Sequence, residues 1–209
     1  MAYSVVCISA TDGAGGEQIA PLVARGLDSR LVNEQIVAKA ARQAGIDQQF
    51  VADTEKRKSL VSRVLSAIPA SDMAVASALG TSPAVIEPTP ASDALRGLIR
   101  STIEEIAEQG ESVIVAHAAS FALVNKPQVL RVLITGGPET RAKRVAESRG
   151  CDAKEAKKLV SRGDANRADY IKRFYGIAAE SPSDYDLVMN TDRLSAEQAA
   201  DTIVQVAKL

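Results

Sequence analysis

Chemistry in this chain is first suggested by a cluster of glycines, Asp12-Gly-Ala-Gly-Gly, lying between an apolar run at Tyr3–Ser9 and an amphipathic run at Glu17–Gly26. A glycine-rich turn from a buried strand into a helix presents backbone N–H groups, and the helix dipole adds partial positive charge, so anions bind there. Asp12, Gly13, Ala14, Gly15, Gly16 and Glu17 are therefore the candidate phosphate-binding residues. A complete phosphate loop reads G-x-x-x-x-G-K-[ST]: its lysine meets phosphate oxygens and its hydroxyl holds magnesium. Aligned on Gly15, this chain has Ala10 at the first glycine, Gly16 at the lysine and Glu17 at the hydroxyl. A dinucleotide fingerprint fails as well, because Gln18 stands where its third glycine belongs. The residues leave two readings open: an anion-binding loop of altered chemistry, or a tight turn with no ligand.

A second concentration of charge runs from about Arg149 to Tyr175, with Arg162, Asp164 and Arg167 at its centre. Guanidinium forks match phosphate better than an ammonium does. In a helix, the five-residue separation is expected to put Arg162 and Arg167 on loosely similar faces, within reach of one ligand. The alternative is a solvated charged helix. His117, the chain's single histidine, follows an apolar run and is either a pH-sensitive cation near its ordinary value of about 6.5 or a hydrogen-bonded structural residue. Tyr170, Phe174, Tyr175 and Tyr185 are four of only seven Phe and Tyr residues, a spacing expected to pack aromatics into the core.

The elements that must position these groups alternate. Strands are predicted at Tyr3–Ser9, Arg30–Val32, Ser112–Ala116, Val129–Thr135 and Asp186–Asn190. Helices are predicted from Glu17 to Gly26 with Pro21 near the first turn, from Asn33 to Gln43, from Phe50 to Leu65, from Asp93 to Glu108 and from Glu139 to Arg149. A long helical region over Cys151–Tyr175 and a last helix capped by Ser195 with Gln198 complete the pattern. Residues 66–91, with Pro69, Pro83, Pro88 and Pro90, read as an irregular insertion. Alternation of this kind predicts an α/β fold: three layers, a parallel sheet with helices on both faces. Ligands bind such sheets at the carboxyl ends of the strands, which here are 10–16, 116–120, 135–138 and 190–193.

Bulk properties narrow the class. The chain has 209 residues, 46% hydrophobic and 24% charged, with a net charge of −1, which suits one domain over 1–209 and disfavours general nucleic-acid binding. Its apolar runs are too short to span a bilayer. Its amino-terminal residues lack the pattern of a signal peptide. Cys7 and Cys151 show no metal-type spacing, so a reducing cytoplasm is the expected setting.

Six segments in order and spacing resemble the cytidylate kinase-like family, a branch of the P-loop nucleoside monophosphate kinases: Asp12–Ala20, Leu31–Ile36, Glu108–Ala118, Thr140–Val145, Arg162–Tyr170 and Asn190–Ser195. The resemblance implies a P-loop-kinase-like fold in which the glycine loop holds the donor phosphates, with Mg2+ accompanying ATP. It places Asn33 and His117 at the acceptor nucleotide. A helical lid, at about 149–176, would bring Arg162 and Arg167, with Asp164 between them, onto the transferred group. Arg141 and Arg144 match the helix leading into that lid, and Thr191 and Arg193 would lie near the donor base. The departures are specific: Ala10 and Glu17 replace arginines on either side of the loop, Ala116-His117-Ala118 replaces Gly-Arg-Gly, and Asn33 replaces an acid. Glu17 either occupies the anion site itself or holds the magnesium. The implied activity is phosphoryl transfer to a nucleoside monophosphate, CMP or dCMP first. The alternatives are a non-catalytic nucleotide- or protein-binding descendant, and a kinase for another phosphorylated small molecule.

Overall fold

The computed structural model describes residues 3–33, 90–116 and 118–209. The helices predicted between 34 and 65, most of the 66–91 insertion, and His117 lie outside the described residues.

The centre of the molecule is β1 (Val5–Ala10), an apolar, β-branched run whose first five residues are buried. Such a run is stable only with both faces covered, as in a parallel sheet. β1 is followed by α1 (Gly16–Gly26) and β2 (Arg30–Asn33), and then by α2 (Pro90–Gln109), β3 (Ser112–Val115), α3 (Ala119–Ala122) and β4 (Val129–Thr135). α4 (Pro138–Arg149), α5 (Ala153–Tyr175), a 3-10 turn at Pro182–Asp184, β5 (Leu187–Asn190) and α6 (Ala196–Ala207) close the chain. The five described strands form one sheet in the order β2-β3-β1-β4-β5. Every pairing is parallel, with Val5 opposite both Ser112 and Val129.

Alternation along β1 divides the two faces. Val6 and Ile8 join Ile19 and Val23 of α1 and Ala199 and Ile203 of α6 in one core cluster. On the opposite face Ser9 donates its hydroxyl to Ala116 O at 3.2 Å and meets Ser120 Oγ of α3 at 3.4 Å. α2 contributes the buried Leu98, Ile99, Ile103 and Ile106.

Three local differences from the expected elements have simple causes. Pro21 lies in the second turn of α1 rather than its first, so the helix carries it while Glu17 O goes without an intrahelical donor. α2 opens at Pro90, three residues before the expected start, because proline suits a first helical position; the last two residues of the predicted insertion are thus helical. α3 is a single extra turn that the sequence pattern does not announce.

α4 and α5 form a helical hairpin around Ala142, Val145, Ala156 and Val160. Its bend is built by Gly150, left-handed at φ 63 after α4, and by Asp152, whose side chain accepts from Glu155 N at 2.8 Å to cap α5. Removing such a cap costs about 1 kcal/mol. Asp152→Ala is accordingly expected to lower stability by about that amount in urea titration, with Asp152→Asn holding most of it.

Candidate functional site

The loop between β1 and α1 is shaped by close approach. Gly13 is left-handed at φ 77, and a Cβ there would lie 2.5 Å from Arg141 O of α4. Gly15, at φ 89, caps α1 without a side chain, so the first-turn amides receive nothing from their own cap. A Cβ on Gly16 would lie 2.4 Å from the Ala10 Cβ. Two of the three departures from a complete phosphate loop, Ala10 and Gly16, are therefore one steric exchange: the Ala10 methyl fills the space that a side chain at 16 would leave through. Glu17 is exposed overall, but partial burial of its carboxyl, then the nearby Asp12 charge, hold its pKa above the usual range, with Arg149 opposing.

Three side chains grip the outer side of the loop. Arg141, 6% exposed, donates through Nε to Gly136 O at 3.0 Å and through Nη1 to Asp12 O at 3.3 Å. Arg144 donates to Gly13 O at 3.4 Å, to Thr191 Oγ1 at 2.9 Å and to Thr191 O at 2.6 Å. Thr191, just past β5 and 2% exposed, donates to Ala14 O at 2.8 Å. Asp192 accepts from Gly137 N at 2.8 Å, which holds its carboxyl below the ordinary range. Arg193 is exposed on the same turn.

The charged helix does not put Arg162 and Arg167 on similar faces. Five residues along an α-helix rotate a side chain by about 500°, which leaves the two about 140° apart. Arg162 is exposed. Arg167 is 6% exposed and grips Glu180 with Nε and Nη2, at 2.8 and 2.6 Å. It also donates to Tyr185 Oη at 3.0 Å, and Tyr185 donates to Glu180. Between the two arginines of the sequence, Asp164 receives the Arg141 fork at 2.8 and 2.7 Å. Arg141, Asp164 and Arg167 nevertheless share one cavity of about 190 Å³ with Thr11, Ile171 and Glu180. Thr11 Oγ1 is buried there without a hydrogen-bond partner. The cavity joins the glycine loop to the helical hairpin. Asn33 lies on the other side of the sheet's carboxyl end, at the end of β2 and 8% exposed.

Glu180 and Thr11 carry no motif signal in the sequence. Tyr185 does, as one of the four late aromatics: it stacks edge-on to Phe121, which in turn meets Tyr175. Burial raises the Tyr185 hydroxyl to about 12, although Arg167 opposes it. Burial alone would raise Glu180; the hydrogen bonds and charge of Arg167 outweigh it and hold the carboxyl below the usual range. Among the described residues no His, Cys, Asp and Glu group is arranged to hold a metal, and no helix is long and apolar enough to cross a membrane.

A parallel sheet with its glycine loop after the central strand, helices on both faces and a helical hairpin after β4 is the architecture of P-loop kinases. Residues 5–193 match the cytidylate kinase-like family, and the chain belongs to that family. Its relatives include the cytidylate kinase of Methanopyrus kandleri, 29% identical over 102 residues, 45% of this chain and 53% of that protein. The cytidylate kinase of Pyrococcus horikoshii is 34% identical over 94 residues, 44% of this chain and 47% of that protein. The chain thus spans about half the length of the curated relatives it matches. Among solved structures, an uncharacterized protein from Eubacterium ventriosum superposes with a TM-score of 0.66 at 19% identity, covering 97% of each chain. A shikimate kinase from Bacteroides thetaiotaomicron gives 0.53 at 13% identity, covering 98% of each chain, a likeness of fold.

Two outcomes follow from the site. Gly16→Lys alone is expected to destabilise the chain, because its Cβ meets Ala10. Ala10→Gly with Gly16→Lys should recover the melting temperature, and equal destabilisation in both would refute the exchange. Glu180→Gln should weaken folding at pH 7 by on the order of 3 kcal/mol, since it removes the Glu180 counter-charge from a buried Arg167. Because the folded Glu180 value is depressed, its stabilisation is complete above the ordinary carboxylate range and is lost as pH falls through the folded value. The gap between wild type and variant in denaturant titrations should therefore narrow as pH falls below the ordinary glutamate range.

Proposed function

We propose that the chain transfers a phosphoryl group from ATP to a nucleoside monophosphate, with CMP or dCMP as the acceptor. The observation that carries this reading is the cavity in which Thr11 at the glycine loop meets Arg141 and Arg167 of the helical hairpin. Phosphoryl transfer asks for positioning and for positive charge around the moving group more than for covalent chemistry. The loop supplies amides, α1 its dipole, and the two guanidiniums their forks. In this reading Asp164 and Glu180 hold the forks in place until phosphate oxygens compete for them, and Arg162 stands on the exposed side of the same helix. Asn33 and His117 would face the acceptor, and Arg193 the donor base. Magnesium accompanying ATP would supply charge neutralisation between phosphates, and Glu17 is the loop carboxylate that would hold it. The cellular setting in this reading is the cytoplasm.

A non-catalytic nucleotide binder of the same family is the second reading. One observation favours it: position 16 holds a glycine packed against Ala10 where the motif has its lysine, and both arginines of the cavity already carry carboxylate partners.

Turnover separates them. Incubated with Mg-ATP and CMP, dCMP or UMP, the chain is expected to form ADP above the ATP-only background, fastest with CMP or dCMP. Arg167→Lys keeps the charge and loses the fork, and should lower the rate on the order of a hundredfold. ADP formation with none of the three acceptors would remove the first reading and leave the second, to be checked by calorimetry with ATP.

A further inference from the structure

We infer that Thr191, held in direction by Arg144, is a positioning residue of the phosphate loop: it draws the Ala14 carbonyl outward, and so aims the Gly15 amide inward. The inference deepens the proposed function and rests on its reading of the loop as a phosphate cradle.

The geometry is that of consecutive peptide groups. In a trans peptide the C=O and the following N–H point in opposite directions. Asp12 O faces Arg141 at 3.3 Å, Gly13 O faces Arg144 at 3.4 Å, and Ala14 O faces the Thr191 hydroxyl at 2.8 Å. Three carbonyls in a row are thus drawn toward α4 and the end of β5. The amides of Gly13 and Gly15 are turned the other way, while Ala14 N closes back on Thr11 O at 3.0 Å. Successive amides with the left-handed turns at Gly13 and Gly15 make an anion-binding concavity. Gly13 permits this because α4 comes so close that a Cβ would strike Arg141 O.

Thr191 is the centre of the device. Its hydroxyl hydrogen is shared between Ala14 O at 2.8 Å and Thr135 O at 3.2 Å, with the shorter contact to the loop. Its oxygen accepts from Arg144 Nη1 at 2.9 Å, and its carbonyl takes Arg144 Nη2 at 2.6 Å, which fixes the hydroxyl's direction. Its own amide is bonded to Thr135 O at 2.9 Å, so the residue is anchored to the sheet. A loop lacking the usual lysine depends on amide direction for its hold on phosphate, and this chain builds that direction from a strand end.

The test follows the loop amides of the full ¹⁵N-labelled chain while inorganic tripolyphosphate is added. Gly13, Gly15 and Gly16 resonances should move in wild type. In Thr191→Val, which keeps the shape and loses the hydroxyl, the apparent affinity should fall about tenfold, equivalent to about 1.4 kcal/mol. Thr191→Ser should restore it. Arg144→Met, at a half-buried position, should weaken binding in the same direction and serves if the valine variant unfolds. A merely structural role predicts a loss of affinity that tracks the fall in melting temperature and is not rescued by serine. Wild-type amides that ignore tripolyphosphate, or variants that bind it as wild type does, overturn the inference. Tripolyphosphate binding weakened by the variants, in a chain that forms no ADP, supports the inference and sinks only the kinase reading.

Discussion

One guanidinium holds the active end of the molecule together. Arg141 reaches Gly136 O at the end of β4, Asp12 O in the glycine loop and both oxygens of Asp164 in α5. Buried to 6% exposure, it needs all of these partners, because an unpaired charge in that setting is strongly unfavourable. Its need fixes where the loop sits relative to the sheet and where the hairpin sits relative to the loop. The close fit at Gly13 is the steric counterpart of the same contact. At Gly163 a Cβ would fall 2.2 Å from Asp12 Oδ2, so the loop and α5 also touch where only a hydrogen fits.

The electrostatic design is one of internal neutrality. Arg141 is answered by Asp164 and Arg167 by Glu180, while the loop itself carries the carboxylates Asp12 and Glu17. Buried ion pairs of this kind add little net stability but fix geometry. Among the described residues both arginines that line the cavity are paired, so an anion entering there must compete with carboxylates already in place.

Much of this was legible in the residues. The apolar run at Tyr3–Ser9 followed by glycines marks a buried parallel strand and its loop, found at Val5–Ala10, and the strand at Val129–Thr135 appears with its predicted bounds. The Ser195 and Gln198 capping box is present as its spacing requires. The relation between Arg162 and Arg167 was legible in their spacing but not as expected, since five residues of helix put them about 140° apart; which of the two is buried was not legible. Glu180 could not be found either: a single acid in an irregular stretch gains its role from an arginine thirteen positions away. Arg141 and Arg144 stood out by position in the chain, but their grip on loop carbonyls is a tertiary fact with no periodicity to announce it. Ala10 and Gly16 read as two separate losses in the sequence and become a single packing event only in three dimensions.

That packing event constrains the chain's history and its future. A lineage holding alanine at 10 and glycine at 16 is ratcheted: acquiring a lysine at 16 first forces two carbons to 2.4 Å, well inside contact distance. Trimming Ala10 to glycine first leaves only a methyl-sized gap, about 1 kcal/mol of lost packing and within ordinary tolerance. Installing a lysine at 16 therefore has a favoured order, and any larger residue at position 10 would have to be trimmed first.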